Sequence, residues 1–246
     1  MVKLTGCVAG FLAVFSLFTG CLPKSEKSGG GTSSSSSKSV IKIGYAQAGH
    51  ESDWRIANTE SFKNTFTSAK GYEFYFDDAD GSVEKQVAAV KDFIDKKVDY
   101  IVLASVVETG WDDVLADAKK AGIPVILSDR QIKVADESLY LCWVGGNFLR
   151  EGRDSVKWLE KYLDKTGKAN KKINIVDIQG AMGSSAQIGR TKGIEEGVRM
   201  HDNWNLIAQQ CGEWSEDIAR DVMKDIIAKK GINNIDVVFA ENDNMA

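Results

Sequence analysis

The chain has 246 residues, 43% hydrophobic and 27% charged, a composition that suits one large globular domain or two small lobes. Its formal net charge is −4, with 31 Lys and Arg against 35 Asp and Glu and no basic patch or tail, which argues against a nucleic-acid partner. The 2 histidines, His50 and His201, lie far apart and outside any metal-ligand spacing, so no metal site is expected.

At the N-terminus, Lys3 precedes an apolar run over 8–18 that Thr19-Gly20-Cys21 closes. This is a signal-peptide pattern over residues 1–20, too short for a comfortable transmembrane span. Leu17-Phe18-Thr19-Gly20-Cys21 resembles the lipobox of bacterial lipoproteins, which implies that Cys21 is the lipidated first residue of a mature chain. Leu4-Thr5-Gly6-Cys7 has a similar local motif but no apolar run before it. A plain secretory signal or an uncleaved anchor is the alternative. Residues 21–39, rich in Gly and Ser, read as a flexible tether with no means of forming a core. A lipid and a tether would hold a globular domain near a membrane, in the periplasm or at the cell surface.

From residue 40 the pattern alternates. A strand over 40–47 carries Ile41, Ile43 and Tyr45, and Ser52 or Asp53 can then cap a helix bearing Ile56, Ala57, Phe62 and Phe66. Residues 72–76 alternate like a strand, 77–82 form a turn, and Val87, Val90 and Ile94 recur at helical spacing. A strand over 99–104 and a helix over 110–121, with Trp111, Val114, Leu115 and Ala118, lead to Val125-Ile126-Leu127. That short run is bounded by Gly122 and Pro124 before it and by Ser128-Asp129-Arg130 after it. Four strands alternating with three helices predict a parallel sheet with right-handed crossovers. A strand over 139–144 and a helix over 147–163, with Val156, Leu159 and Tyr162 on one side, follow. After the charged loop 165–172 the alternation restarts: strand 173–178, helix 186–200, weak strand 206–210, helix 216–229 with Ile218, Val222, Ile226 and Ile227, and strand 235–240. The fold class is therefore α/β with two similar Rossmann-like lobes, 40–144 and 145–246, the boundary lying somewhere within 131–172. A parallel strand with no helix after it reads as an interrupted second lobe. Cys142 and Cys211 could form a bridge, but buried free thiols are the expectation.

Taken alone, Asp129-Arg130 is a strand-terminal turn with a solvated ion pair, yet that edge of an open α/β sheet is where ligands bind. Several segments together carry a resemblance. They are Ile43-Gly44-Tyr45-Ala46-Gln47-Ala48-Gly49-His50-Glu51-Ser52-Asp53-Trp54-Arg55, residues 98–104, Glu108-Thr109-Gly110-Trp111, residues 121–130, residues 183–190 and Glu241-Asn242-Asp243-Asn244-Met245. Over 40–246 they resemble the sugar-binding proteins of bacterial ABC importers, in the branch that includes the ribose- and galactofuranose-binding proteins. The resemblance implies two α/β lobes joined by a hinge, a monosaccharide held between them, an importer permease as partner, a monomer, and no catalytic step or cofactor. Carried over, the substrate-binding residues are Glu51, Ser52, Trp54 and Arg55, Asp129 and Arg130, Arg190, and Asn242. Asp53 adds a carboxylate where close relatives tend to have a small residue, which leaves the sugar open. A further cleft carboxylate, the rest of the second lobe and the returning hinge strands would lie beyond Ala246.

These residue types suit a sugar. Carboxylates accept from paired hydroxyls, guanidinium groups donate in a fixed plane, Asn does both, and Trp54 offers a face to ring C–H groups. Other assignments stay open at single positions: Trp54 as a helix-start core residue, Trp111 in the core ahead of a cleft wall, Arg190 as a solvated surface residue. A receptor presenting a sugar or furanone to a membrane sensor is the alternative function, and a secreted carbohydrate-active enzyme a remote one. Gly183-Ser184-Ser185 is not a nucleophile elbow, and Gly44 and Gly49 do not make a phosphate loop. A sugar-responsive repressor would need a DNA-binding headpiece where this chain has an export signal.

Overall fold

The computed structural model describes residues 39–246. The signal sequence expected over 1–20, the lipidation expected at Cys21 and the tether up to residue 38 lie outside the described residues. The first sheet contains β1 (Ile41–Gln47), β2 (Tyr72–Asp78), β3 (Tyr100–Leu103), β4 (Val125–Ser128) and β5 (Cys142–Val144). Its order is β2-β1-β3-β4-β5, every pair parallel. Ile43 registers with Phe74 on one side and Tyr100 on the other, and Leu127 with Trp143. The helices between these strands are α1 (Asp53–Thr65), α2 (Val83–Asp95) and α3 (Asp112–Lys120).

Both faces of this sheet are covered, as a parallel sheet requires. On one face Ala46, Leu103 and Leu127 pack with Phe93 of α2 and with Val114 and Leu115 of α3. Trp111 is fully buried in the same cluster, and its indole N–H donates to the Val107 carbonyl at 2.8 Å, so it is core and not cleft wall. On the other face Ile43 and Tyr45 pack with Phe62, Phe66, Phe74 and Phe76. Here the structure corrects the expected apolar face of α1. Ile56 and Ala57 are exposed, and the residues turned inward near its start are Arg55 and Thr59. The reason is local: the start of α1 lies over Gln47 at the end of β1, where polar partners wait.

The second half comprises α4 (Phe148–Lys165), β6 (Ile173–Gln179), α5 (Ser185–Arg199), β7 (Trp204–Cys211), α6 (Glu216–Lys230) and β8 (Val237–Ala240). The second sheet has the order β7-β6-β8, again parallel, with a register shift between Ile175 and Val176. Gly189, Gly193 and Gly197, four residues apart on α5, form the seam with α4. A Cβ on Gly193 would lie 2.7 Å from both Arg153 N and Leu149 O, so only hydrogen at these positions lets the two backbones approach so closely.

Several expected details change. The weak strand over 206–210 is the eight-residue β7. Tyr162 does not share the buried face of Val156 and Leu159; Leu163 does, while Tyr162 stacks on Trp158 in solvent with ring centroids 5.3 Å apart. On α6, Ala219 and Ile226 are buried and Ile218 is exposed. The strand expected from 139 begins at Cys142, and Glu137–Leu139 is a 3₁₀ turn. Cys142 and Cys211 are free thiols, but Cys142 is exposed and Cys211 half-buried.

Candidate functional site

The C-terminal ends of β1, β3 and β4 meet at one edge, and the candidate residues of the first lobe converge there. Ser52 is the N-cap of α1, its hydroxyl accepting from the Arg55 N–H at 3.2 Å. That cap starts the helix so that Arg55, in its first turn, points back under the β1–α1 loop, 3% exposed. Arg55 Nη2 donates to Asp129 Oδ2 at 2.7 Å, Nε to Glu51 Oε1 at 3.4 Å and Nη1 to Gln47 Oε1 at 3.3 Å. Arg130 is also 3% exposed. Its Nη1 reaches the carbonyls of Ser105 and Val106 at 3.3 Å, and its Nη2 the same Glu51 oxygen at 3.3 Å. Two guanidinium groups and two carboxylates therefore close one network.

The backbone at Asp129 has φ +64°, the left-handed region that Asp tolerates better than most residues. It is held there from both sides. Asp129 N donates to Val144 O at 2.8 Å, and the Trp143 indole donates to Asp129 O at 3.0 Å. Burial disfavours both arginine charges, with different outcomes. Burial and the neighbouring Arg55 bring Arg130 down to about 10. At Arg55, burial is outweighed by Asp129 and Glu51, which hold it above its ordinary value.

From the second lobe, Arg190 enters the cleft off α5. Its Nε and Nη2 each lie 2.9 Å from Glu151 Oε2 on α4, and Nη1 donates to the Glu241 carbonyl at 2.8 Å. Its guanidinium lies 5.1 Å from the Phe148 ring centroid and 5.6 Å from that of Trp214. Trp214 is buried at φ +64° in the loop after β7, and Arg130 of the first lobe lies 5.8 Å from the same ring. It thus links the two lobes' arginines. Trp54 is 55% exposed at the cleft rim, with Arg55 over its ring at 4.9 Å, and is not a core residue. Asn242 lines the cleft as well, but its amide serves local backbone: it donates to Trp214 O at 3.1 Å and accepts from Met245 N at 3.0 Å.

Glu51, Ser52, Trp54, Arg55, Asp129, Arg130, Arg190 and Asn242 all line one continuous cavity of about 1970 Å³, which also runs on along α4, α6 and β8. Backbone groups cross between lobes around it. Asp53 N donates to Asn244 Oδ1 at 3.2 Å, Glu108 N to Gly183 O at 2.9 Å, and Gln131 N to Ser185 Oγ at 2.9 Å.

Sequence reasoning missed Gln47, Glu151, Trp214 and Glu241. Trp214 carried the same positional signal as Asp129, a place just past a strand's C-terminal end. Glu241 directly follows β8; burial raises its carboxyl to about 8, although Gly180 N and the Thr191 hydroxyl donate to it at 2.9 and 2.6 Å. Glu151 carried no local signal, because its partner Arg190 is 39 residues away. Among the described residues no cluster of His, Cys, Asp and Glu is arranged to hold a metal ion.

Two parallel α/β lobes facing each other across a cleft of paired arginines and carboxylates define a two-lobed binding protein. Residues 43–246 match the periplasmic binding protein domain family, and the chain belongs to that family. The galactofuranose-binding protein YtfQ of Escherichia coli is 37% identical over 206 residues, which are 83% of this chain and 63% of that protein. The chain thus spans less than two thirds of this relative's length. Among solved structures, a galactofuranose-binding protein superposes with a TM-score of 0.78 at 36% identity, covering 83% of this chain and 68% of that one. The binding component of an arabinose ABC transporter from Shewanella, bound to α- and β-L-arabinofuranose, gives 0.76 at 36% identity, covering 83% and 66%. The family and these relatives are binding proteins and not enzymes.

Proposed function

We propose that this chain is the solute-capturing component of an ABC importer and holds a neutral monosaccharide, galactofuranose- or ribose-like, between its lobes. The observation that carries this is the network of buried Arg55 and Arg130 with half-buried Asp129 and Glu51, facing Arg190 and Trp214 across the cleft. Each guanidinium already has a carboxylate partner, Arg190 through Glu151, so the cleft has no surplus positive charge to attract a sugar phosphate or sugar acid. What remains is a set of aligned polar groups beside an indole face, which suits alternating hydroxyls and C–H groups. That a relative binds galactofuranose and a structural neighbour holds arabinofuranose narrows the reading to five-membered rings. Ser52 acts in this reading by setting the start of α1, and Trp54 and Asn242 by walling the rim and the floor. Lipidation of Cys21, with the tether that follows, holds the domain at the membrane beside its permease.

Calorimetric titration of the chain with L-arabinose, D-galactose and D-ribose tests the reading. Binding of at least one, with galacturonate and ribose 5-phosphate inert, is the expected result. A preference for the charged sugars would overturn it. Metabolic labelling with palmitate, lost in Cys21→Ser, tests the anchor.

A further inference from the structure

We propose that Glu151 is a positioning residue for the cleft, fixing Arg190 in its binding orientation and linking it to the chain crossover at Gly146. This rests on the reading of the cleft as a sugar site. Three observations carry it. First, Glu151 Oε2 accepts from Arg190 Nε at 2.9 Å and lies in ionic contact with Nη2 at 2.9 Å, which leaves Nη1 for the Glu241 carbonyl and sets the plane of the guanidinium. A planar group hydrogen-bonded at two of its nitrogens cannot rotate without breaking charge-assisted bonds. Second, that plane lies against the rings of Phe148 and Trp214, the cleft's apolar surfaces. Third, the other oxygen of the same carboxylate lies where residue 146 would carry a side chain: a Cβ on Gly146 would sit 2.5 Å from Glu151 Oε1.

Residues 145–147 are the segment by which the chain passes from β5 of the first sheet to α4, which packs on the second. Glu151 is in the first turn of α4, directly after that crossing. One carboxylate therefore has one oxygen in the space beside Gly146 of the crossover and the other on a cleft arginine. A shift of the crossover moves Glu151, and Glu151 moves Arg190. Gly146 is not needed here for a left-handed backbone, since its φ is not among the positive ones. An Ala at 146 thus acts chiefly by displacing the carboxylate.

The test uses the full chain, Glu151→Gln, Gly146→Ala, Glu151→Ala and the double variant Gly146→Ala/Glu151→Ala. The Arg190 Nε–H resonance, assigned by its loss in Arg190→Lys, reads the positioning without any ligand. In the native chain it exchanges slowly with water; in Glu151→Gln and Gly146→Ala it exchanges fast. L-Arabinose affinity falls by at least about tenfold in both, the scale of one charge-assisted bond. Gly146→Ala adds no further loss, within about twofold, once Glu151 is Ala, the non-additivity expected of one shared path. Slow exchange retained in Glu151→Gln, or a Gly146→Ala effect that persists without Glu151, would overturn the proposal. If the native chain binds no sugar while the resonance behaves as stated, the positioning role stands and the sugar reading falls.

Discussion

Removing the Asp129 carboxylate tests whether the cleft network is a stability element as well as a binding one. Arg55 has a side chain only 4% exposed, and Asp129 Oδ2 at 2.7 Å is its shortest partner. Breaking one side of a buried ion pair costs about 3–5 kcal/mol, because the surviving charge stays buried. Glu51 at 3.4 Å keeps part of the compensation, which places the loss toward the lower end of that range. The backbone adds a second contribution. At φ +64°, Asp129→Ala carries a further cost of about 1 kcal/mol, whereas Asn tolerates that conformation and keeps an acceptor oxygen. Asp129→Asn should therefore cost about 1.5–3 kcal/mol, the worth of a hydrogen bond to a charged group, and Asp129→Ala about 3–5. At about 2–4 °C per kcal/mol for a domain of this size, the Ala variant should melt about 6–20 °C lower. Urea unfolding followed by tryptophan fluorescence gives the free energies, and calorimetry the midpoints. If Asp129→Ala stays within about 0.5 kcal/mol of the native chain, the range for exposed substitutions, then Arg55 is not confined by this pair and the account of the cleft is wrong.

Three further outcomes follow from other parts of the molecule. In the native chain Glu241 keeps its proton up to about pH 8, against an ordinary value of 4.5, so the folded state binds more protons than the unfolded one across that window. Stability should therefore fall as pH rises from about 4.5 to about 8, with Asp177, raised by burial from 3.8 to about 6, adding a decline of the same sign at the acid end. Urea midpoints at pH 5, 6.5 and 8 should show this slope, and Glu241→Gln should flatten its upper part; an unchanged slope in the variant counts against the assignment. Gly193→Ala should cost about 1–3 kcal/mol, since its methyl would meet backbone atoms of α4 at 2.7 Å that cannot turn aside; a thermal midpoint equal to the native one would show that the α4–α5 seam has slack. In native buffer Cys142, being exposed, should react with an aromatic disulfide reagent well before Cys211, which is half-buried and whose thiol is raised by burial; equal rates would contradict the burial difference.

Much of the architecture was legible in local patterns. Short apolar runs closed by Gly, Pro and Asp read correctly as parallel strands, since a strand buried on both faces has few other sequences available to it. From local pattern the candidate cleft was legible only where a residue sits at a strand's end or a helix's start; Arg190, inside α5, was legible only through the family resemblance. Asp129, Arg130 and Ser52 stand at such points, and Trp214 stood at one too without being recognised. Helix faces were read less well. The inward side of α1 near its start is Arg55 and Thr59, whereas apolar spacing points to Ile56 and Ala57, which face water.

By itself, the sequence determined the alternation of strands and helices, the parallel sheets and the position of the cleft at their C-terminal edges. These depend on hydrophobic period and turn chemistry, which act over a few residues. Only the tertiary structure decided which charges are buried and which are solvated. Arg55 and Asp129 are 74 residues apart, and Arg190 and Glu151 are 39. A lone arginine reads as a surface residue because burying its charge unpaired is costly. It becomes a cleft residue when the sheet order brings a carboxylate to it, and that pairing is a property of topology that no local stretch of chain contains.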